Sequence, residues 1–359
     1  MSAMLFESFD LGGTELQNRI VMAPMTRCRC IGNIPDDIVT EYYSQRASAG
    51  LIVTEGTSPS PNGLGYPRIP GMFNDTHVNA WKKVTASVHA CGGKIFMQLM
   101  HSGRVSHALN LPDGAKVLAP SAIQLEGEIY TDAKGLQAHS MPSEMTSNEI
   151  AVTTQEYVQA AQYAIAAGFD GIELHSANGY LLEQFICPAT NQRTDEYGGS
   201  VENRLRFPLQ LAEAVAEAIG KQKTAIRVSP YGTFNSITLY DELDETYALY
   251  SQRLSELGLA YLHVVDHSSM GAPVVPDTIK ATMRKNFKQA YILSGGYDLA
   301  RAEEDLKTGK GDLVAFGKPF ISNPDLIARL KSGATLAQPD FDTFYTPGEK
   351  GYTDYPAMA

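Results

Sequence analysis

Cysteine is scarce in this chain. The 359 residues include four, Cys28, Cys30, Cys91 and Cys187, and their spacing matches no zinc or iron–sulfur pattern. Cys28-Arg-Cys30 therefore reads as two lone thiols, no metal site is expected, and the usage fits a reduced, cytoplasmic protein. Long apolar runs are missing as well. None approaches about 18 residues, so no segment reads as spanning a membrane. The start, MSAMLFESFDLGG, is too short and too acidic to read as a signal peptide. Positive charge is in short supply, with 29 Lys and Arg against 40 Asp and Glu and a formal charge of -11. Such a surface argues against nucleic acid or anionic lipid as a partner, while leaving room for a small basic pocket. The glycine-rich strand-to-helix turn of dinucleotide-binding folds is also absent. A nicotinamide cofactor is thus expected to visit rather than stay.

What the chain does contain is an alternation of strand-like apolar runs and helix-like patterns. The runs are Arg19–Pro24, Leu51–Glu55, Ile95–Leu99, Gly171–His175, Thr224–Ser229, Tyr261–Val265, Tyr291–Ser294 and Leu313–Phe316. Between them, Val78, Trp81, Val84 and Val88 recur at helical spacing. So do Leu205, Leu209, Ala212, Val215, Ala216 and Ile219, and Tyr247, Tyr250, Leu254 and Leu257. Eight βα pairs predict an α/β fold of the closed (β/α)8 barrel type in a single domain spanning 1–359. A typical barrel takes about 250 residues, so roughly a hundred are extra. Most of the excess falls after the third strand, at about 105–146, in a Pro-, Gly- and Ser-rich insertion whose stretch QLEGEIYTD reads as a hairpin. Insertions there usually form a lid or a pocket wall. The tail, 339–359, carries Phe344, Tyr345, Tyr352 and Tyr355 and is expected to pack back on the barrel.

Barrel enzymes carry their chemistry on the loops after the strands. The polar residues at those positions are Thr26, Gln98, His175, Asn178, Tyr180 and Arg227. His175-x-x-Asn178-x-Tyr180 ends an apolar strand and is not needed for packing. His175 and Asn178 can aim two N–H donors at one oxygen, and Tyr180 adds a hydroxyl that keeps its proton at neutral pH. Two donors and a nearby acid suit hydride addition to a double bond activated by a carbonyl group. Arg227 lies in a core strand, where a cation is costly without an anion; a salt bridge with Glu173 is one partner, a bound ligand another. For Gln98 a satisfied core amide and a ligand contact are equally open. The seventh and eighth strands end in Ser294-Gly295-Gly296-Tyr297 and Phe316-Gly317-Lys318-Pro319. Two glycine turns at these strands, one with a cation, mark the usual phosphate site of a barrel and imply a phosphorylated cofactor.

Several longer stretches carry a resemblance. They are Leu16–Arg27, Tyr42–Tyr43 with Gln45–Ala47, Gln98–Arg104, His175–Tyr180, Asn191–Phe207, Phe316–Leu326 and Gly351–Pro356. In them the chain resembles the Old Yellow Enzyme family of FMN-containing ene-reductases, in its N-ethylmaleimide reductase and pentaerythritol tetranitrate reductase group. The resemblance runs over essentially the whole chain. It implies that Pro24, Thr26, Gly56, Gln98 and Arg227 hold the isoalloxazine, with Thr26 at O4 and Arg227 near N1 and O2. It implies that Gly295, Gly296, Gly317 and Lys318 hold the phosphate. His175 and Asn178 are implied to bind the substrate's oxygen and Tyr180 to give the proton, with Tyr66, Met100 and Tyr345 lining the pocket. NADPH or NADH is implied as the transient hydride donor, and relatives are monomers or homodimers.

The chain departs from the family pattern in three places. Lys318 stands where Arg is usual, giving a point charge without a bidentate fork and a looser expected hold on FMN. Met100 stands where many relatives have Trp, implying a more pliable wall. Thr26 stands where another branch has Cys. Arg193, Asp195 and Arg204 in the Asn191–Phe207 run read as a buried network rather than catalysts. Competing readings are a flavin-free barrel lyase or isomerase acting on a phosphorylated substrate and a non-enzymatic flavin- or phosphate-binding module. An iron–sulfur flavin dehydrogenase is disfavoured by the scattered cysteines.

Overall fold

The computed structural model describes residues 3–358; Met1, Ser2 and Ala359, at the ends of the stretch read as one domain, lie outside the described residues. Eight parallel strands close on themselves: β1 (Ile20–Met22), β2 (Leu51–Val53), β3 (Ile95–Leu99), β4 (Gly171–Ser176), β5 (Thr224–Val228), β6 (Tyr261–Val265), β7 (Ala290–Ser294) and β8 (Leu313–Phe316). Each is followed by a helix, in order α1 (Asp37–Ser44), α2 (Asp75–Ala90), α3 (Ser147–Ala166), α4 (Val201–Ile219), α5 (Leu243–Leu257), α6 (Asp277–Asn286), α7 (Leu299–Lys307) and α8 (Leu326–Ser332). This is the (β/α)8 barrel expected from the sequence. Strands buried on both faces explain why they read as continuous apolar runs rather than alternating ones.

Three strands are shorter than their runs suggest, β5 by only one residue, and side chains bear on the ends of β1 and β2. Where β1 begins, Asn18 Oδ1 accepts from the Ile20 amide at 3.1 Å and shares the Gly50 amide, 2.8 Å away, with the Ile20 carbonyl of the ladder at 2.9 Å. The Glu55 amide turns away from β2 to donate to the Tyr43 hydroxyl at 2.9 Å. The helices start at side-chain caps. Asn74 accepts from the His77 amide, and Thr146 with Glu149 forms a reciprocal capping box at the start of α3. Val78, Trp81, Val84 and Val88 are all buried, so α2 faces the barrel as its spacing predicts.

Inside the barrel, Val21, Leu51, Val53, Phe96, Ala225, Tyr261, Ile292, Leu313 and Ala315 form one apolar cluster. Leu11 and Leu16 join it from an antiparallel hairpin, Phe9–Leu11 with Thr14–Leu16. The apolar core therefore plugs one end, and polar side chains are left for the other.

The insertion after β3 holds a parallel pairing of Leu118–Ala119 with Ser143–Glu144 and a hairpin, Glu128–Thr131 with Gly135–Ala138. The hairpin runs past the stretch QLEGEIYTD. Its second strand, GLQA, is partly exposed throughout and shows no clean apolar alternation, so its sequence gave little signal. The tail is held by buried arginines. Arg27 donates to the carbonyls of Phe344 and Gly351, Arg29 to those of Thr343, Phe344 and Lys350, and Arg46 to that of Tyr352. Tyr352 stacks on Tyr42 with ring centroids 4.0 Å apart.

Candidate functional site

The polar end of the barrel is built in register. His175 on β4 lies beside Arg227 on β5, which lies beside His263 on β6. Glu173 lies beside Gln98 on β3. Parity turns these side chains inward, and all are buried. Glu173 uses both carboxylate oxygens, accepting from Gln98 Nε2 at 2.7 Å and pairing with His263 Nδ1 at 2.8 Å. Burial pushes this carboxyl up, but His263, Arg227 and Gln98 outweigh it and hold it below the usual range. The direct Arg227–Glu173 salt bridge weighed from the sequence does not form; Glu173 is bonded instead to Gln98 and His263. Among the described residues Arg227 has no carboxylate in ion-pair range, and its Nε is buried without a partner. A buried guanidinium with free donors is an incomplete arrangement that an electron-rich ligand edge would complete. Gln98, having given its N–H to Glu173, keeps its carbonyl oxygen for such a ligand.

Beyond β4 the chain makes a sharp turn. Asn178 and Gly179 are both left-handed, with φ of 61° and 74°. A Cβ on Gly179 would lie 2.6 Å from the Phe234 carbonyl oxygen, so glycine is required there. The turn is anchored from below by Glu183, which accepts from the Gly179 amide at 2.6 Å, Ser229 Oγ at 2.9 Å and Tyr247 Oη at 2.8 Å. Ser229 Oγ in turn accepts from the Asn178 amide at 2.9 Å, and Asn235 Nδ2 donates to the Asn178 carbonyl at 2.7 Å. The turn carries Asn178 and Tyr180 on from His175 at the end of β4. The His175 and Tyr180 rings meet edge to face, 5.0 Å apart. Tyr180 Oη lies 3.1 Å from Tyr66 Oη.

Tyr66 and Tyr180 pack on an apolar wall of Cys28, Leu64, Ile69 and Met100. Met100 packs closely on Gly56: a Cβ there would lie 2.6 Å from its sulfur and require the flexible side chain to shift. Arg68 ties the mouth together by donating to the carbonyls of Cys28 and Tyr345 and pairing with Asp132 of the insertion hairpin. Tyr345 stands exposed at this rim.

Pro24 and Thr26 lie half-buried on the loop after β1, and the Thr26 hydroxyl makes no hydrogen bond among the described residues. After β7, Gly295 and Gly296 have φ of 129° and 61°. A Cβ on Gly295 would collide with the Asp266 carbonyl. After β8, a Cβ on Gly317 would meet only Met25 Sδ at 3.7 Å and Ala23 Cβ at 3.9 Å, and exposed Lys318 has no carboxylate partner among the described residues. No backbone hydrogen bond uses the amides of Gly296, Gly317 or Lys318 among those residues. Free amides on two adjacent glycine turns beside a lysine fit a phosphate. With Arg227, Gln98 and Thr26 they fit FMN. Arg193 pairs with Asp195, and Arg204 donates to the carbonyls of Ile186 and Gly199. These three sit in structural contacts rather than at the mouth.

Protonation states follow from burial. His175 is held well below the ordinary histidine range by burial and then by Arg227, so it is neutral at physiological pH. Burial pushes the Tyr180 phenol up to about 12. His77, His101 and His267 fall to about 4, 3 and 4 through burial, and His139 and His263 are also lowered. Glu55 and Glu183 rise to about 7 through burial. A histidine held neutral in the fold but free to bind a proton near 6.5 when unfolded gives stability that is full above that pH and lost below it. Burial also raises Glu156, and the three raised carboxyls act oppositely, being stabilising at low pH and losing that stability as pH rises above their ordinary 4.5. Six lowered histidines outweigh three raised carboxyls. Unfolding free energy is therefore expected to fall as pH drops from 7 toward 5, by about 1.4 kcal/mol per pH unit for each uncompensated proton. Urea unfolding at a series of pH values checks this; flat or rising stability would contradict it.

Five residues of the site escaped sequence reasoning: His263, His267, Glu183, Ser229 and Asn235. His263 was detectable by the same misfit that marks Gln98, a polar residue inside an apolar strand. The other four act through turns whose contacts no local pattern encodes.

Residues 4–337 match the family model described as the NADH:flavin oxidoreductase / NADH oxidase family. A Leishmania infantum protein named "Probable flavin mononucleotide-dependent alkene reductase" is 39% identical, over 97% of this chain and 96% of its own. Morphinone reductase, solved in complex with tetrahydroNAD, superposes with a TM-score of 0.94 at 44% identity, covering 99% of this chain and 98% of that one. The old yellow enzyme homologue from Zymomonas mobilis gives a TM-score of 0.95 at 39% identity, covering 99% of both chains.

Proposed function

The chain belongs to the NADH:flavin oxidoreductase / NADH oxidase family and is an FMN-dependent ene-reductase of the Old Yellow Enzyme type; we propose that His175, Asn178 and Tyr180 carry its alkene chemistry. Family membership sets aside the flavin-free lyase. What supports this reading is the turn after β4: the Tyr180 ring lies 5.0 Å from that of His175, which sits in register beside the buried, unpaired Arg227.

When bound, FMN supplies the hydride chemistry, accepting hydride from NADPH or NADH and passing it to the β-carbon of the alkene. Pro24, Thr26, Gly56, Gln98 and Arg227 would hold its ring, and Gly295, Gly296, Gly317 and Lys318 its phosphate. Neutral His175 and the Asn178 amide donate to the carbonyl or nitro oxygen of the substrate. They orient it and stabilise the enolate-like charge that grows there. Tyr180 holds its proton at Oη and delivers it to the α-carbon. Tyr66 Oη, 3.1 Å away on a half-buried side chain, can then relay a proton to it, taking one from solvent as it gives one up. Met100, Tyr66 and Tyr345 shape the substrate's space. Substrates are small activated alkenes, and the enzyme works in the cytoplasm as a monomer or homodimer.

The test is NADPH-driven reduction of 2-cyclohexenone by Asn178→Ala. The expected loss in kcat/KM is about 10- to 100-fold, the worth of one hydrogen bond to a charged oxygen, with flavin reduction by NADPH unchanged. Unaltered kcat/KM would remove Asn178 from the oxygen site.

A further inference from the structure

Asn178 is held at every polar atom but one. Its amide donates to Ser229 Oγ at 2.9 Å, its carbonyl accepts from Asn235 Nδ2 at 2.7 Å, and its Oδ1 lies 2.7 Å from His267 Nε2. Asn235 is itself pinned, because Arg104 Nη2 donates to its carbonyl at 3.0 Å. The backbone of Asn178 is thus fixed, but its side-chain amide still has two ways to sit. Its oxygen and nitrogen are nearly the same size, so packing does not choose between them; hydrogen bonding does. One orientation offers the substrate two N–H donors. The other offers a carbonyl oxygen, which repels an enolate.

His267 is the group that makes this choice. It lies two residues past β6, almost fully buried. Its ring is tilted against Phe234, with centroids 4.5 Å apart, and its carbonyl accepts from the amides of Met270 and Ala272. Nothing in the ring's surroundings frees it to leave Asn178. We propose that His267 is a positioning residue: its Nε2–H anchors Asn178 Oδ1 and so commits Nδ2 to the substrate's oxygen. Burial keeps the imidazole neutral, so it donates from one nitrogen only. The specificity of the site for an oxygen that carries negative charge then depends on a histidine that never touches the substrate. This inference rests on Asn178 being part of the oxygen-holding pair.

The experiment measures binding rather than turnover. FMN-loaded protein is titrated with 4-nitrophenol at fixed pH, and the probe's own phenolate absorption gives both the affinity and the ionised fraction when bound. Asn178→Ala is expected to weaken binding by about 10- to 100-fold and to lower the ionised fraction. His267→Phe, which keeps an aromatic ring against Phe234, is expected to do the same by about 5- to 10-fold. In the Asn178→Ala background it should have no further effect. His267→Gln, whose amide N–H can replace Nε2–H, should restore most of the loss. Equal losses in both backgrounds, or tighter binding by His267→Phe, would overturn the proposal. If Asn178→Ala itself binds normally, the oxygen-site reading fails instead.

Discussion

Tyr180→Phe is expected to slow reduction of 2-cyclohexenone by about 10²–10⁴-fold, the range for a positioned general acid. The change removes one oxygen and leaves the ring packed against His175 and the wall of Leu64, Ile69 and Met100. The fold and the donor pair should therefore survive. Flavin reduction by NADPH needs no proton at the α-carbon and should continue at its usual rate. Separating the two half-reactions by anaerobic rapid mixing makes the contrast direct. The loss should shrink for nitroalkenes, whose product anion is stable enough to take its proton from water. A loss of the same size for both classes would argue that Tyr180 orients the substrate instead of donating to it.

His175→Ala is expected to cost about 10²–10³-fold in alkene reduction, comparable to removing one donor from an oxyanion site. Unlike the phenol, this donor is needed whether or not water can supply the proton. Its loss should thus be similar for enones and nitroalkenes and exceed that of Tyr180→Phe for the latter. Because burial and Arg227 keep His175 neutral, the wild-type rate should show no titration of this residue between pH 6 and 9. Measuring kcat/KM across that range with both substrate classes tests both points. A reversed ranking across substrates would exchange the roles given to the two residues.

Much of this was legible in the chain because barrel strands are short, apolar and evenly interleaved with amphipathic helices. The eight runs fixed the fold class, and their polar exceptions, Gln98, His175 and Arg227, marked the mouth. The run Leu51–Glu55 overshot because Tyr43 captures the Glu55 amide, and Arg19–Pro24 began early because Asn18 bonds the Ile20 amide where β1 starts. Of the two partners weighed for Arg227, the structure does not show the Glu173 salt bridge: Glu173 is bonded to Gln98 and His263, which leaves the arginine open. His267 was invisible as a functional residue, since its importance lies in a 2.7 Å contact with a residue 89 positions away.

The most direct measurement is the visible absorption spectrum of the purified protein, before and after anaerobic NADPH and again after 2-cyclohexenone. The expected result is a flavin spectrum that bleaches with NADPH and returns with the enone. A protein that stays colourless when supplied with FMN, or a reduced flavin that the enone does not reoxidise, would contradict the assignment of the β4 turn and Arg227 to flavin-dependent alkene reduction.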